Sequence, residues 1–253
     1  MTIGIIGVGA IASAIVRGLS EAASDAQAIL LSPRNAAIAA DLASRYANVS
    51  IAADNQAVVA GASIVILAIR PQDAESAIRG LAFSADQTVV SLMAGIETAR
   101  LRDLVKPATK VARAIPLPAV ATRNGVTPIY PREAVAGALF DRLGSAVHLE
   151  DEAAYEAFAA ASSTVAAHFA YLDAITRWLA ARNVPAENAR RYVASVFATL
   201  SLHSGTADFA ERARDHATPG GFNEQFLSLL NEAGVYETVG ASLDRIYARL
   251  RGQ

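Results

Sequence analysis

The segment Gly7-Val8-Gly9-Ala10-Ile11-Ala12 carries the most definite chemistry in this chain. It follows the apolar run 3–6 directly and leads into a run of helix-forming residues. That context predicts a strand, a tight turn and a helix N-terminus. In such a turn the first glycine permits the bend, and the second lets a pyrophosphate approach the backbone. A small third residue, here Ala12, lets the helix pack closely on the strand. The helix N-terminus then holds phosphates with its unpaired N–H groups and the positive end of its dipole. The motif points to dinucleotide binding; the alternative is a glycine turn with a structural role alone.

The end of the second strand selects between dinucleotides. Readers of NAD place an acid there, ~20 residues on, for the ribose hydroxyls. This chain has Leu31-Ser32-Pro33-Arg34-Asn35, and the next acid is Asp41, well into the following helix. Ser32 can hydrogen-bond a 2′-phosphate and Arg34 can pair with it as a charged fork. The expected cofactor is NADP, with NADPH favoured over NADH. The alternative is that Arg34 is one more solvated arginine.

A second group lies farther along, where Ser163, Thr164, His168 and Tyr171 recur at helical spacing and share part of one face. His168 is the group there that titrates near neutral pH. It could supply a proton or fix a carboxylate, or it could be a histidine of the core or of a subunit interface. Ser162, Ser163 and Thr164 could equally bond back to their own helix. His148, His203 and His216 are scattered without metal-ligand spacing, so no metal is expected. The chain has no cysteine, which excludes disulfides, thiolate metal sites and cysteine catalysis. It shows no nucleophile elbow, P-loop or paired carboxylates. Phe169 and Trp178 read as core residues.

The elements that position these groups follow from patterning. Hydrophobic residues make up 53% of the 253 and charged residues 18%, enough for a sizeable core. No apolar run approaches the ~18–20 residues of a membrane span. The N-terminus has no basic flank before its apolar run, so no signal peptide is expected and the location reads as cytoplasmic. A formal charge of −2 argues against broad binding of nucleic acid. Apolar strands are expected at 3–6, 28–31, 49–51, 64–69, 88–91 and 110–113. They alternate with helices at about 10–22, 36–46 and from Gln72. Strands that are apolar throughout fit a parallel sheet buried on both faces. The alternation implies a doubly wound α/β domain. Strands at 125–129 and 146–149, around a helix at 132–143, would close it.

After Asp151 no strand is expected. One long helix at 151–181 leads to helices at about 185–203, 207–214, 222–232 and 236–251. The border near 150 therefore separates an α/β Rossmann-type domain, 1–150, from an all-α domain, 151–253. The long helix is apolar nearly all round, and such a helix is normally buried. Exchange of helices between two copies would bury it, so a homodimer is expected. Docking on the domain's own helices is the alternative.

The glycine motif, Asp54-Asn55, Val65-Ile66-Leu67-Ala68-Ile69-Arg70-Pro71-Gln72, Ser91-Leu92-Met93-Ala94-Gly95-Ile96, Arg113-Ala114-Ile115-Pro116 and the late Thr218-Pro219-Gly220-Gly221 occur in one order. Together they resemble pyrroline-5-carboxylate reductases over essentially the whole chain. The resemblance implies a Rossmann domain, a helical domain interlocked in a dimer, and reduction of a cyclic imino acid with NAD(P)H. It implies that Gly7, Val8, Gly9, Ala10 and Ile11 cradle the pyrophosphate and that Asn55 reaches the adenosine side. Ala68, Ile69 and Arg70 would lie along the nicotinamide half, with Arg70 where the family usually has Lys. Ala94 and Gly95 would close over the nicotinamide.

The substrate half departs from that pattern. Met-Pro-Asn-x-Pro becomes Ile115-Pro116-Leu117-Pro118. Ser-Gly-Ser-x-Pro-Ala-Tyr becomes Ala161-Ser162-Ser163-Thr164-Val165-Ala166-Ala167, and Gly-Gly-Thr-Thr becomes Gly220-Gly221-Phe222-Asn223. Thr218 is expected to cap the last turn's helix, leaving the glycine N–H groups open for a carboxylate with Asn223 beside them. Phe222 is expected to admit a bulkier or less acidic substrate, or to pack inward as an anchor. The expected activity is NADP-dependent reduction of a C=N bond in a small cyclic imino acid or imine, with Ser163, Thr164, His168 and Asn223 on the substrate side. The alternatives are a non-catalytic or regulatory NADP-binding protein, a reductase of a related small carbonyl compound, and an F420-linked NADP reductase.

Overall fold

The computed structural model describes residues 1–21, 26–203 and 208–252, without the side chains of 199 and 201–203. The described residues divide into two compact units, one within 1–162 with 250–252 and one within 163–249.

The first unit is built on an eight-stranded sheet. The strands are β1 (Ile3–Ile6), β2 (Ile29–Leu31), β3 (Val49–Ile51), β4 (Ile64–Leu67), β5 (Thr88–Ser91), β6 (Lys110–Ala114), β7 (Gly125–Tyr130) and β8 (Gly144–His148). Their order is β3-β2-β1-β4-β5-β6-β7-β8. The first six run parallel, with Ile3 opposite both Ile29 and Ile64. The helices between them are α1 (Ala10–Ser20), α2 (Ala36–Arg45), α3 (Asn55–Gly61), α4 (Ala74–Ile78) and α5 (Thr98–Leu104). Alternate strand residues feed two separate cores. Ile3, Ile5, Ile64, Ile66 and Val90 face one, and Ile6, Val65, Leu67, Val89 and Val111 the other. Both faces are covered, so apolar residues at every strand position are satisfied.

The sheet turns antiparallel at β7. Only residues 115–124 link it to β6, too few for the crossover that a parallel neighbour requires. α6 (Ala134–Asp141) then provides a crossover, and β8 runs parallel to β7.

Three expectations change. Asp54 accepts from the Ala57 amide at 2.7 Å and starts α3, a helix the patterning left out. Pro71–Asp73 form a 3-10 turn before α4, where a continuous helix from Gln72 was expected. The long helix expected at 151–181 is two, α7 (Glu152–Ser162) and α8 (Thr164–Ala180). At the break the Ser162 hydroxyl donates to the Ala159 carbonyl at 2.7 Å, a back-bond of the kind that bends helices. α7 belongs to the first compact unit, where Tyr155, Glu156, Ala159 and Ala160 are buried.

The second unit holds α8, α9 (Ala186–His203), α10 (Phe209–His216), α11 (Phe222–Glu232) and α12 (Val235–Leu250) up to Arg249. The start of the helix expected at 207 lies outside the described residues. Within this unit the buried residues, among those described, are Ala189 and Val193. Phe169 and Trp178, expected in the core, are 63% and 54% exposed in the single chain. Among the described residues no helix is long and apolar enough to cross a membrane.

Candidate functional site

The glycine turn lies between β1 and α1, held from both sides. Gly7 has φ +93°, and a Cβ on it would come within 2.5 Å of the Ala68 carbonyl oxygen. On the other side its N–H donates to the Ser32 hydroxyl at 2.9 Å. Gly7 is therefore required by the fold itself. Gly9 is different. Its φ of −111° suits any residue, and a Cβ there would meet nothing within 4 Å. No contact inside the chain requires a glycine at that position, and a glycine there leaves room for a ligand to approach the backbone. Gly9 is the N-cap of α1, with no side-chain cap and no acid in the first turn. The first N–H groups of α1 lack intrahelical partners, so this end of the helix fits a pyrophosphate. Val8 is buried in the core and offers only its backbone, while Ala10 is exposed and Ile11 half-buried.

On the β2 side, Ser32 is fully buried, so its hydroxyl shapes the turn where the sequence suggested contact with a 2′-phosphate. Arg34 is exposed and meets Asp73 at 3.4 Å. Arg34 and Asn55 line one open pocket of about 450 Å³, together with Pro33, Ser76 and Arg79. The Asn55 side-chain amide donates to the Ala77 carbonyl at 3.2 Å, which ties α3 to α4 along that pocket. On the β4 side, Ala68 and Ile69 flank Gly7, and Arg70 is exposed and bonded to Asp73. Ala94 and Gly95 follow β5 and are exposed, and Gly95 turns the chain with φ +70°. The loops after β2, β1, β4 and β5 all leave the same carboxyl edge of the parallel strands, where open α/β sheets bind ligands.

In the second unit, Ser163 and Thr164 line an open pocket of about 380 Å³ with Val235, Thr238 and Ser242 of α12. His168 sits edge-on to Phe197 of α9 at 6.3 Å, and Tyr171 meets the same ring at 5.8 Å. Burial, with Tyr236 nearby, pushes the Tyr171 phenol above its ordinary value. Asn223 is exposed at the start of α11 and is not among the residues lining the Ser163 pocket.

The turn before α11 corrects an expectation. Gly221, not Thr218, is the N-cap. The Gly221 N–H donates to the Thr218 carbonyl at 2.8 Å, and the Gly220 N–H donates to the Glu224 carboxylate at 2.7 Å. The glycine amides expected to be open are thus engaged within the turn. Phe222 is 89% exposed, so it is no inward anchor of its own chain.

Sequence reasoning missed a buried ionic cluster beside this edge of the sheet. Arg113, at the end of β6, is fully buried and donates to Glu152 at 2.7 Å and Glu156 at 2.6 Å. Its guanidinium lies 4.1 Å from the Tyr155 ring centre. The Thr98 amide and hydroxyl also donate to Glu152. The signal was present as a charge inside an apolar strand and two glutamates one helical turn apart. Among the described residues no three His, Asp or Glu side chains converge as a metal site.

Strand order and the open glycine turn define a Rossmann-type unit of the dinucleotide-binding kind. Residues 2–95 match the family model "NADP oxidoreductase coenzyme F420-dependent", and residues 152–252 match "Pyrroline-5-carboxylate reductase dimerisation". The pyrroline-5-carboxylate reductase of Pseudomonas aeruginosa is 30% identical over 176 residues, covering 66% of this chain and 64% of that protein. The 1-pyrroline-5-carboxylate reductase of Streptococcus pyogenes superposes with a TM-score of 0.83 at 25% identity, covering 100% of this chain and 99% of that one. The Plasmodium falciparum pyrroline carboxylate reductase with NADP bound shares the fold, with a TM-score of 0.82 at 14% identity over 100% of this chain and 97% of that one. The chain is thus similar in sequence and fold to pyrroline-5-carboxylate reductases.

Proposed function

We propose that this chain is an NADPH-dependent reductase of the C=N bond in a small cyclic imino acid or imine of the pyrroline-5-carboxylate type, acting as a homodimer. The observation that carries the reading is Gly9, a glycine with no reason inside the chain at the N-terminus of an uncapped helix. When bound, NADPH supplies the hydride that reduces the C=N carbon.

The chain's own residues have the following roles in this reading. The first N–H groups of α1, from Ala10 and Ile11, and the backbone of Gly7, Val8 and Gly9 hold the pyrophosphate. Ser32 sets the turn, Arg34 pairs with the 2′-phosphate, and Asn55 lines the adenosine pocket. Ala68, Ile69, Arg70, Ala94 and Gly95 lie along the nicotinamide half. Ser163 and Thr164 offer hydroxyls to the substrate, and His168 holds a proton for the imine nitrogen or orients the ring. Asn223 contributes a donor. Because Glu224 already occupies an amide of the turn before α11, the substrate is less acidic or bulkier than pyrroline-5-carboxylate. The sparse burial of the second unit and its match to a dimerisation model support the homodimer.

The test is NADPH oxidation against pyrroline-5-carboxylate and a panel of cyclic imines. Turnover on at least one is expected. Tight NADPH binding with no turnover on any would remove the catalytic reading.

A further inference from the structure

Asp73 stands between two arginines at the carboxyl edge of the sheet. One oxygen, Oδ2, accepts from Nε and Nη2 of Arg70, both at 3.0 Å, and from Nη1 of Arg34 at 3.4 Å. Arg34 comes from the loop after β2 and Arg70 from the loop after β4, and the sheet order places β1 between those strands. The glycine turn touches both loops, through the Gly7 bond to Ser32 and the close approach of Gly7 to Ala68. The Arg34–Asp73 contact therefore links the two loops that flank the turn. A dinucleotide with its pyrophosphate on the α1 N-terminus lies along these same loops.

We infer that Asp73 is an internal counter-anion that competes with the 2′-phosphate of NADPH for Arg34, and so limits how strongly the site prefers NADPH over NADH. The inference rests on the reading of the glycine turn as an NADP site. Its physical basis is the inequality of the two contacts. Arg70 gives Asp73 two bonds of ordinary length. Arg34 reaches it through one nitrogen, beyond the usual range, from a side chain that is 62% exposed. Exposed pairs of that kind are weak. A phosphate offers Arg34 a shorter, two-pronged contact. Asp73 keeps both bonds from Arg70 when Arg34 leaves, so its carboxylate, only 20% exposed, is not stranded. The pocket beside Arg34, lined by Asn55, Ser76 and Arg79, gives the guanidinium room to turn. Charge sets the direction. Two arginines and one aspartate present a single net positive charge to a phosphate bearing nearly two negative ones. Asp73 touches no reacting atom in this scheme; it acts through Arg34.

The test measures dissociation constants for NADPH, NADH, adenosine 2′,5′-bisphosphate and 5′-AMP. The proteins are the unmodified chain, Asp73→Asn, Arg34→Ala and the double variant. Asp73→Asn should tighten NADPH and the bisphosphate about three- to tenfold at low salt, with the gain fading as salt rises. NADH and 5′-AMP should stay within about twofold. In the Arg34→Ala background the gain should vanish, which separates competition for Arg34 from a general change in charge. Three results would overturn the inference: weaker NADPH binding in Asp73→Asn, an equal gain for NADH, or a gain that survives Arg34→Ala. If the unmodified chain binds neither dinucleotide, the reading of the glycine turn falls and takes the inference with it. Imine turnover does not enter this readout.

Discussion

In the first unit each face of the sheet is covered by helices of the same unit, and Ile3, Ile5, Ile64, Ile66 and Val90 are fully buried. In the second, Ala189 and Val193 are the buried residues among those described, while Phe169, Trp178, Tyr192, Phe209 and Phe222 lie open. Burying an aromatic or large aliphatic side chain is worth about 1.5–3 kcal/mol, so the second unit leaves most of its stabilising surface unused in a single chain. The first unit can hold a cofactor site to fixed geometry by itself. The second leaves its large apolar side chains open in a single chain, and residues 152–252 match a dimerisation family model. The departures from the family pattern fall in this second half and in the loop after β6.

The largest expected effect tests the self-sufficiency of the first unit. Arg113→Met leaves Glu156 buried and uncompensated. Removing one partner of a buried ion pair costs about 3–5 kcal/mol, and denaturant unfolding should register a loss of that order. Replacing Arg113 and Glu156 together with apolar residues should recover most of it. A loss below about 1 kcal/mol for Arg113→Met would show that the cluster does not hold α7 to the sheet. The cluster also predicts a pH dependence. Burial disfavours the ionised Glu152, but bonds from the Thr98 hydroxyl and amide and the charge of Arg113 outweigh it. They hold the carboxyl below its ordinary value of 4.5. A carboxyl lowered in the folded state stabilises that state above the ordinary value, and the contribution is lost as pH falls through the folded value. Glu152→Gln should therefore lose less stability than the unmodified chain as pH drops below 4.5.

The two glycines of the turn separate folding from binding. Gly9→Ala should leave thermal stability unchanged or slightly higher, because the backbone angle is ordinary and the space is open. It should weaken NADPH by about tenfold or more, ~1.4 kcal/mol. Gly7→Ala should instead destabilise the unit, since its Cβ meets the Ala68 backbone. Equal stability losses at both positions would remove the argument that Gly9 is shaped by a ligand. Arg34→Ala should weaken NADPH by about tenfold and leave NADH within about twofold. Equal losses for the two cofactors would show that Arg34 does not read the 2′-phosphate.

How legible each half was follows from the same contrast. Strands such as Ile64–Leu67 and Thr88–Ser91 are apolar at every position because both faces are buried, so they stand out in a linear pattern. The glycine turn announces itself because strand, turn and helix are consecutive. Partners such as Arg113 with Glu152 and Glu156, or Asp73 with Arg34, are brought together only by strand order. The break at Ser163 was hidden because Ala, Ser and Thr continue the helical pattern through it, while a local hydroxyl bond interrupts the helix. Phe169 and Trp178 read as core because apolar spacing shows that a face will be covered and not by which chain.

The smallest expected effect concerns the turn before α11, which the proposed function places on the substrate side. Phe222 stands at the first position of α11, 89% exposed, beside a turn whose amides are held by Glu224 and Thr218. In the family pattern a threonine hydroxyl occupies this place. The phenyl ring removes that donor and adds apolar area, and the Glu224 carboxylate already takes an amide that a substrate carboxylate would need and would repel it. Both changes act in one direction, towards substrates that are less acidic or larger. Phe222→Thr should therefore shift relative activity towards small cyclic imino acids. It should leave NADPH affinity within about twofold, ~0.4 kcal/mol, because the ring belongs to the second unit and the proposed cofactor residues to the first. Turnover ranked across a set of imines with and without a carboxylate, measured beside light scattering, would decide the matter. An unchanged ranking with a weakened dimer would place Phe222 in the interface between copies, and the substrate reading of this turn would be lost.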